Sequence, residues 1–274
     1  MVIETGPDFQ ALSDRYMREL EMARRVQQGL LSAETPQFPG IKIARQCISA
    51  ESVGGDFYTF IPKDTTAFVT ETPGVVKYVD KGEFYLGIAI GDVAGHGISS
   101  ALVMALSSGI LSEVGKATRS AAETMRRSNN NILKYIQHSH VSYVTVFYSV
   151  LHVSSKKLVY CSAGHPGALF IRGDTVQELS TGDVFLGMYT DAAYQEKEIQ
   201  LQPGDRVYFY TDGLVEARNR AGEEFGLERL IEIIKNNREK TIEKSKTEIF
   251  DAVAGFSQSQ TIRDDQTLVI LEVG

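Results

Sequence analysis

The stretch that most constrains this chain is residues 84–104, Phe-Tyr-Leu-Gly-Ile-Ala-Ile-Gly-Asp-Val-Ala-Gly-His-Gly-Ile-Ser-Ser-Ala-Leu-Val-Met. Residues 86–90 form a continuous apolar run with two β-branched members, and residues 98–110 are apolar at helical spacing, so a buried strand feeds a helix. Between them lie Gly91, Asp92, Val93, Ala94, Gly95, His96 and Gly97. One carboxylate is thus delivered at a strand end, and glycines keep the following turn free of side chains, as hard-cation sites require. A single Gly-Asp-x-x-Gly is more often a tight turn with a solvated aspartate. Three further edges shift that balance: Gly54-Gly55-Asp56 after Val53, Tyr210-Thr211-Asp212-Gly213 after Val207-Tyr208-Phe209, and Arg263-Asp264-Asp265 before Gln266-Thr267-Leu268-Val269-Ile270. Each sets an aspartate at the margin of an apolar, β-type run.

At 274 residues and 43% hydrophobic content the chain has ample core for one large domain or two small ones. No uncharged apolar run approaches the roughly 20 residues that span a bilayer, and the N-terminus lacks the basic, apolar, small-residue order of a secretory signal. The expectation is a cytoplasmic protein without a membrane partner. Cys47 and Cys161 each sit in a strand-like segment and read as small buried hydrophobes, with neither a disulfide framework nor a thiolate zinc site. The net charge of −7 argues against a nucleic-acid surface. Bound divalent ions would neutralise part of it.

Residues 8–31 read as one helix, with Phe9, Tyr16, Leu20, Ala23 and Leu30 spaced three or four apart and Ser13 and Gln27 interrupting the seam. Such a helix either packs on its own domain or forms a short coiled coil that pairs two chains or transmits a signal. Pro36, Pro39 and Gly40 then mark a linker, dividing the chain into residues 1–39 and a domain over 40–274. Two strands are predicted within residues 41–61, and a loop or exposed hairpin over 62–83, which holds Pro62, Pro73, Gly74 and Gly82. Helices over 98–114 and 121–137 follow. Strand-like runs at 143–153, 157–163, 168–171, 175–179, 194–201 and 205–210 are separated at hairpin lengths, which favours antiparallel pairing. A short helix near 214–217, helices near 227–236 and 244–256, and a last strand over 266–272 complete the chain. The pattern predicts an α+β fold of two antiparallel sheets packed together with helices outside.

Aspartates at several sheet edges, with no cysteine and few histidines nearby, suit Mg²⁺ or Mn²⁺ in oxygen-donor sites. Two such ions roughly 3.5–4 Å apart hold a shared water, lower its pKa and clamp a phosphate for in-line displacement, with no enzyme nucleophile needed. The competing schemes are missing: no Gly-x-Ser-x-Gly elbow, no phosphate-loop Gly-Lys-Ser/Thr, no Cys-x5-Arg-like thiolate site and no His-Glu-x-x-His. His138 and His140, at a helix end, read as solvated surface. His96, in the glycine turn, reads as a turn-stabilising neighbour of the acids rather than a ligand. His165, in Ser162-Ala163-Gly164-His165-Pro166, either orients a group near the site or caps a hairpin.

Taken in order, Val53-Gly54-Gly55-Asp56-Phe57-Tyr58, Gly91-Asp92-Val93-Ala94-Gly95-His96-Gly97, Ser162-Ala163-Gly164-His165-Pro166, Tyr210-Thr211-Asp212-Gly213-Leu214-Val215-Glu216-Ala217 and Arg263-Asp264-Asp265-Gln266-Thr267-Leu268 resemble the PPM-type (type 2C-like) metal-dependent protein serine/threonine phosphatases. The closer likeness is to the bacterial SpoIIE-like branch. It runs from about residue 40 to the C-terminus. The resemblance implies a four-layer αββα sandwich with an N-terminal helical extension and two Mn²⁺ or Mg²⁺ ions at one end. By that likeness Asp92 bridges the metals, the Val93 carbonyl binds one, and Asp212 and Asp264 hold the other. Asp56 falls in the first or second shell of ligands, while Gly55, His96, Asp265 and His165 stand behind them.

One departure is visible. The eukaryotic type 2C enzymes place a phosphate-binding arginine just ahead of the first acidic motif, where this chain has Ser52, Val53 and Gly54. The phosphate would then be gripped by metals and partner surface. The resemblance also implies a substrate, phosphoserine or phosphothreonine on an anti-anti-sigma (STAS-type) regulator of a bacterial partner-switching pathway. Residues 8–31 resemble the helix that relays the state of an upstream sensor or activator, and a homodimer through it is the other reading. The rival function is a catalytically silent module that keeps the fold for binding a regulator. A third reading is hydrolysis of a small phosphorylated metabolite.

Overall fold

A computed structural model describes residues 9–31, 35–63, 68–72, 75–78, 84–137, 141–258 and 262–274. The chain runs α1 (Phe9–Leu31), β1 (Thr35–Gln37), β2 (Ile41–Ile48), β3 (Phe57–Lys63), β4 (Phe68–Thr72), β5 (Val75–Tyr78) and β6 (Tyr85–Val93). It continues through α2 (Ile98–Ala117), α3 (Ala121–Ile136), β7 (Val144–His152), β8 (Lys157–Ala163), β9 (Ala168–Arg172) and β10 (Thr175–Leu179). The last elements are β11 (Lys197–Gln200), β12 (Arg206–Tyr210), α4 (Asp212–Val215), α5 (Leu227–Asn236), α6 (Ile242–Ser257) and β13 (Gln266–Val273).

Two five-stranded antiparallel sheets, in the orders β11-β8-β7-β6-β3 and β10-β9-β12-β13-β2, lie face to face. The alternation of side chains along each strand decides what packs where. Val207 and Phe209 of β12 and Val269 and Leu271 of β13 enter the core between the sheets, where Phe209 meets Phe147 of β7 edge-on at 5.5 Å. Their neighbours Tyr208, Tyr210, Leu268 and Ile270 point the other way, onto Leu230, Ile234, Ile249 and Phe250 of α5 and α6. Helices α2 and α3 cover the opposite sheet. The result is the expected α-β-β-α layering. Helices α3 and α6 start where the sequence supplies caps, Ser120 accepting from the Glu123 N–H and Thr241 from the Lys244 N–H.

Strand β6 is buried on both faces, with Leu86, Ile88, Ala89 and Ile90 fully enclosed. Gly91 is required near its end, because a Cβ there would stand 2.6 Å from the Phe57 ring and 2.6 Å from the Thr145 carbonyl oxygen. Asp92 is therefore delivered from a strand clamped by β3 and β7. By length and composition alone residues 98–116 of α2 could cross a membrane; here the helix lies over β3 and β6 and buries Met104, Ser107, Leu111 and Gly115.

Several expectations are revised. The linker carries a short strand, β1, which pairs in parallel with β5, and β4 and β5 form a hairpin with a register shift. Pro62 lies inside β3, while Pro73, Gly74, Gly82, His138 and His140 lie outside the described residues. The short helix after Tyr210 begins at Asp212, earlier than the apolar spacing suggests, and the strand expected over 194–201 is confined to Lys197–Gln200. For α1 the sequence left two readings open. Its stripe is not covered by its own domain: Phe9 is 77%, Tyr16 59% and Leu30 48% exposed, and only Gln27 and Leu31 are buried.

Arg206 locks the outer layer to the sheet. Its guanidinium donates to Glu272 Oε2 at 2.7 Å and to the Asn237 and Lys240 carbonyls at 3.0 and 2.6 Å, joining β12, β13 and the α5–α6 connection. Removing one member of a buried pair strands the others. Arg206→Ala is expected to lower stability by about 3 kcal/mol, read from urea unfolding; an unchanged midpoint would show that the clamp contributes nothing net.

Candidate metal centre

Four distant segments bring aspartates to one end of the sandwich. Asp92 comes at the end of β6, Asp56 just before β3, Asp212 at the start of α4 after β12, and Asp264 and Asp265 just before β13. Their closeness is written in their ionisation. Burial and then the charges of Asp212, Asp264 and Asp265 push the Asp92 carboxyl up to about 8. Burial, then Asp92, raises Asp56 well above the usual carboxylate range. Asp212 is raised by burial and then Glu216, and Asp264 is raised chiefly by burial, with Asp212 and Asp265 adding to it. Among the described residues no lysine or arginine forms an ion pair with any of these four.

Asp265 plays a different part from its neighbours. Its Oδ2 accepts from the Gly55 N–H at 2.6 Å and the Asp56 N–H at 3.2 Å, and its Oδ1 accepts from the Ala50 N–H at 2.8 Å. The β2–β3 connection is thereby tied to the start of β13. The closeness demands glycine. A Cβ on Gly54 would stand 2.0 Å from Asp265 Oδ2, and one on Gly213 would stand 2.0 Å from the Asp265 carbonyl oxygen. At Gly55 a Cβ would stand 2.9 Å from the Val93 carbonyl oxygen and 3.1 Å from Asp92 Oδ1.

Asp56 is 2% exposed and held by two threonines. Thr211 and Thr267 each donate a hydroxyl to its Oδ2 at 2.7 Å, and the Thr267 N–H in turn donates to Thr211 Oγ1 at 2.9 Å. Neither threonine stood out in the sequence. The available signal was a hydroxyl beside each acid motif, at the end of an otherwise apolar strand. Gln27 of α1 was read as a flaw in a seam, yet it is the buried polar group of that helix. Its Nε2 donates to the Gly54 carbonyl at 2.7 Å and its Oε1 accepts from the Gly54 N–H at 3.0 Å. The N-terminal helix is therefore one residue removed from Gly55 and two from Asp56.

The histidines divide. His96 is 87% exposed at its side chain and pairs with Glu51 Oε1 at 3.0 Å, though close enough to draw the Asp264 pKa back down. His165 is buried under the site, its Nδ1 2.8 Å from Thr145 Oγ1, and that hydroxyl lies 3.3 Å from the Asp92 carbonyl oxygen it donates to. It supports β6 and β7 from within. Cys47 and Cys161 are free thiols.

The donor set consists of carboxylates and one backbone carbonyl, which fits a hard divalent cation and offers nothing to a soft one. The raised carboxyl groups fit it too, since a cation would hold them ionised. Among the described residues no three His, Cys, Asp or Glu side chains stand grouped so that they could hold a metal ion. Mg²⁺ in particular keeps several waters and takes only one or two carboxylates per ion.

Burial holds the His165 imidazole down to about 3. A histidine with a depressed folded-state pKa costs stability as pH falls from its unfolded value of about 6.5 toward the folded one, because the unfolded chain gains the proton first. His165→Asn is expected to flatten the loss of thermal stability between pH 6.5 and 4. Parallel pH profiles for the variant and the unaltered chain would count against a buried neutral imidazole.

Comparison with known proteins agrees with this geometry. Residues 82–274, well over half the chain, match the family model described as Stage II sporulation protein E (SpoIIE). The chain is 25% identical over 275 residues to the phosphoserine phosphatase RsbU of Bacillus subtilis, covering 99% of this chain and 75% of that protein. It is 28% identical over 262 residues to protein IcfG of Synechocystis, covering 86% of this chain and 38% of that protein. In structure it is similar to the SiaA-PP2C domain of Pseudomonas aeruginosa, with a TM-score of 0.76, 19% identity and coverage of 96% of this chain and 99% of that one. With the αββα layers, the aspartates at one sheet end and the family match together, the chain belongs to the stage II sporulation protein E family, the SpoIIE-like branch of the PPM-type serine/threonine phosphatases.

Proposed function

We propose that this chain hydrolyses phosphoserine or phosphothreonine on a regulator protein of the STAS type, in a bacterial partner-switching pathway, with residues 40–274 as the catalytic domain. The observation that carries the reading is the convergence of Asp56, Asp92, Asp212 and Asp264 on one site without a basic partner among the described residues. Asp92, on a rigid strand end, would serve both ions, with the Val93 carbonyl on one and Asp212 and Asp264 on the other. Asp56 is fixed by Thr211 and Thr267 at the margin of that set. Two Mn²⁺ or Mg²⁺ ions would lower the pKa of a water and polarise the phosphoryl group. The chain's own residues set the geometry. Asp265 fixes the Gly55–Asp56 backbone, and the Thr145 hydroxyl holds the Asp92 carbonyl, so the carboxylates are aimed before substrate arrives.

Asp92→Asn and Asp212→Asn are each expected to lose nearly all Mn²⁺-dependent phosphate release. Full turnover by both would end the enzymatic reading, and calorimetry showing no Mn²⁺ binding to the unaltered chain would favour a silent interaction module in its place.

We also read α1 as the input to the site. The uncovered Phe9, Tyr16 and Leu30 suit an upstream sensor, an activator or a second copy of the chain, and Gln27 grips the backbone that leads to Asp56. Groups that orient a ligand's backbone typically alter metal affinity by about 10–100-fold when removed. Gln27→Ala is therefore expected to raise the Mn²⁺ concentration for half-maximal activity by about tenfold or more. An unaltered Mn²⁺ titration would detach α1 from the metal centre.

A further inference from the structure

Residues 180–196 join β10 to β11 with no helix or strand of their own. Connections longer than roughly 12–15 residues are uncommon in a compact domain, and those that are ordered usually carry function. This one is held along its length. Asn129 of α3, fully buried, accepts from the Gly187 N–H at 2.8 Å and donates to the Tyr189 carbonyl at 2.8 Å. Gly187, at φ +78°, lies so close to α3 that a Cβ would stand 2.3 Å from Ile136 Cδ1. Nearer β10, the Gly164 N–H donates to the Asp183 carbonyl at 2.9 Å and the Asp183 N–H to the Ser162 carbonyl at 3.2 Å.

The side chains on this firmly held backbone do not all serve its own packing. Leu186 is buried, but Val184, Met188 and Tyr189 are large apolar groups left exposed. One such side chain in solvent is ordinary. Three within a single pinned stretch, a tyrosine and a methionine among them, have the composition of a protein contact surface.

The position of the loop decides between partners. Val144 and Leu186 exchange both backbone hydrogen bonds, at 3.0 and 2.9 Å, and Val144 pairs in register with Val93 of β6. Leu186 therefore lies two strand spacings, roughly 10 Å, from the residue that follows Asp92. A macromolecule seated on Val184, Met188 and Tyr189 would overhang the acid cluster. A sensor or a second copy held there would shut the site, and the uncovered stripe of α1 already offers such partners a surface elsewhere. A phosphoprotein with its phosphoryl group at the cluster is the partner whose presence there is productive.

We propose that Val184, Met188 and Tyr189 form a docking surface for the folded phosphoprotein substrate, meeting an apolar patch on it away from the phosphorylated residue. The proposal rests on the phosphatase reading and adds to it the surface that selects a protein over a small phosphoester. Binding energy gained at this distance from the reacting group is open only to a substrate large enough to reach it.

The test uses the full chain with Mn²⁺ and three substrates: p-nitrophenyl phosphate, a serine-phosphorylated STAS-type protein, and a phosphopeptide of that protein's modified segment. Tyr189→Ala and Met188→Glu are each expected to raise KM for the phosphoprotein by about tenfold, as loss of a central interface side chain does, while turnover of p-nitrophenyl phosphate and of the phosphopeptide stays as in the unaltered chain. Thermal midpoints of both variants keep a folding defect apart. Unchanged KM for the phosphoprotein in both overturns the docking surface and leaves the phosphatase reading intact. An equal rise for all three substrates overturns it too, by making the loop a wall of the metal centre. Sedimentation showing a dimer of the unaltered chain and a monomer of Tyr189→Ala overturns it in favour of a second copy. Turnover of p-nitrophenyl phosphate with none of the phosphoprotein removes the docking surface alone, and phosphate release from no substrate removes the phosphatase reading along with it.

Discussion

The carboxylate of Asp265 joins the two halves of this molecule at the end that carries the chemistry. It accepts three backbone N–H groups from the β2–β3 connection, those of Ala50, Gly55 and Asp56, while its own backbone starts β13 in the centre of the other half's sheet. Three glycines make that approach sterically feasible, Gly54 and Gly213 against Asp265 and Gly55 against Asp92 and Val93. Because backbone amides neutralise it, this acid can be buried beside others of the same charge without a basic partner. The remaining aspartates are then free to face one another, an arrangement that would be repulsive in an empty protein and is suited to divalent cations.

Around that junction the supports are layered by distance. Thr211 and Thr267, neighbours across the β12–β13 ladder, hold Asp56 with two hydroxyls. Thr145, backed by His165, holds the Asp92 carbonyl from β7. Gln27 reaches the same backbone from α1, whose apolar side chains are left largely in solvent. A change in how α1 is held, by a partner or a second copy, would thus reach Gly54 directly.

Much of this was legible from residues alone. Because strict alternation and helical spacing are local properties, the β12 and β13 runs were read within a residue of their ends, as were α3 and α5, while α2 runs three residues past its expected end. The candidate acids were legible because each stands where an apolar strand starts or stops. Less legible were contacts set by long-range register. Gln27 looked like an interruption since its partner is a backbone group 27 residues on, and a backbone group has no signature in the side-chain pattern. Thr211 and Thr267 were passed over because a threonine in a strand is ordinary β-former chemistry until its neighbour is known. The β1–β5 pairing was hidden in a proline-marked segment.

The sequence by itself determined the element types, the antiparallel habit and the identity of the acids, since these follow from composition and period within short windows. Only the tertiary structure decided which acids share a site, that Asp265 is spent on backbone amides and that Gln27 is anchored to Gly54. It alone also decided that the apolar stripe of α1 is left uncovered. Those outcomes depend on residues from 27 to more than two hundred positions apart meeting at ångström distances, and no local pattern of side chains encodes such a meeting.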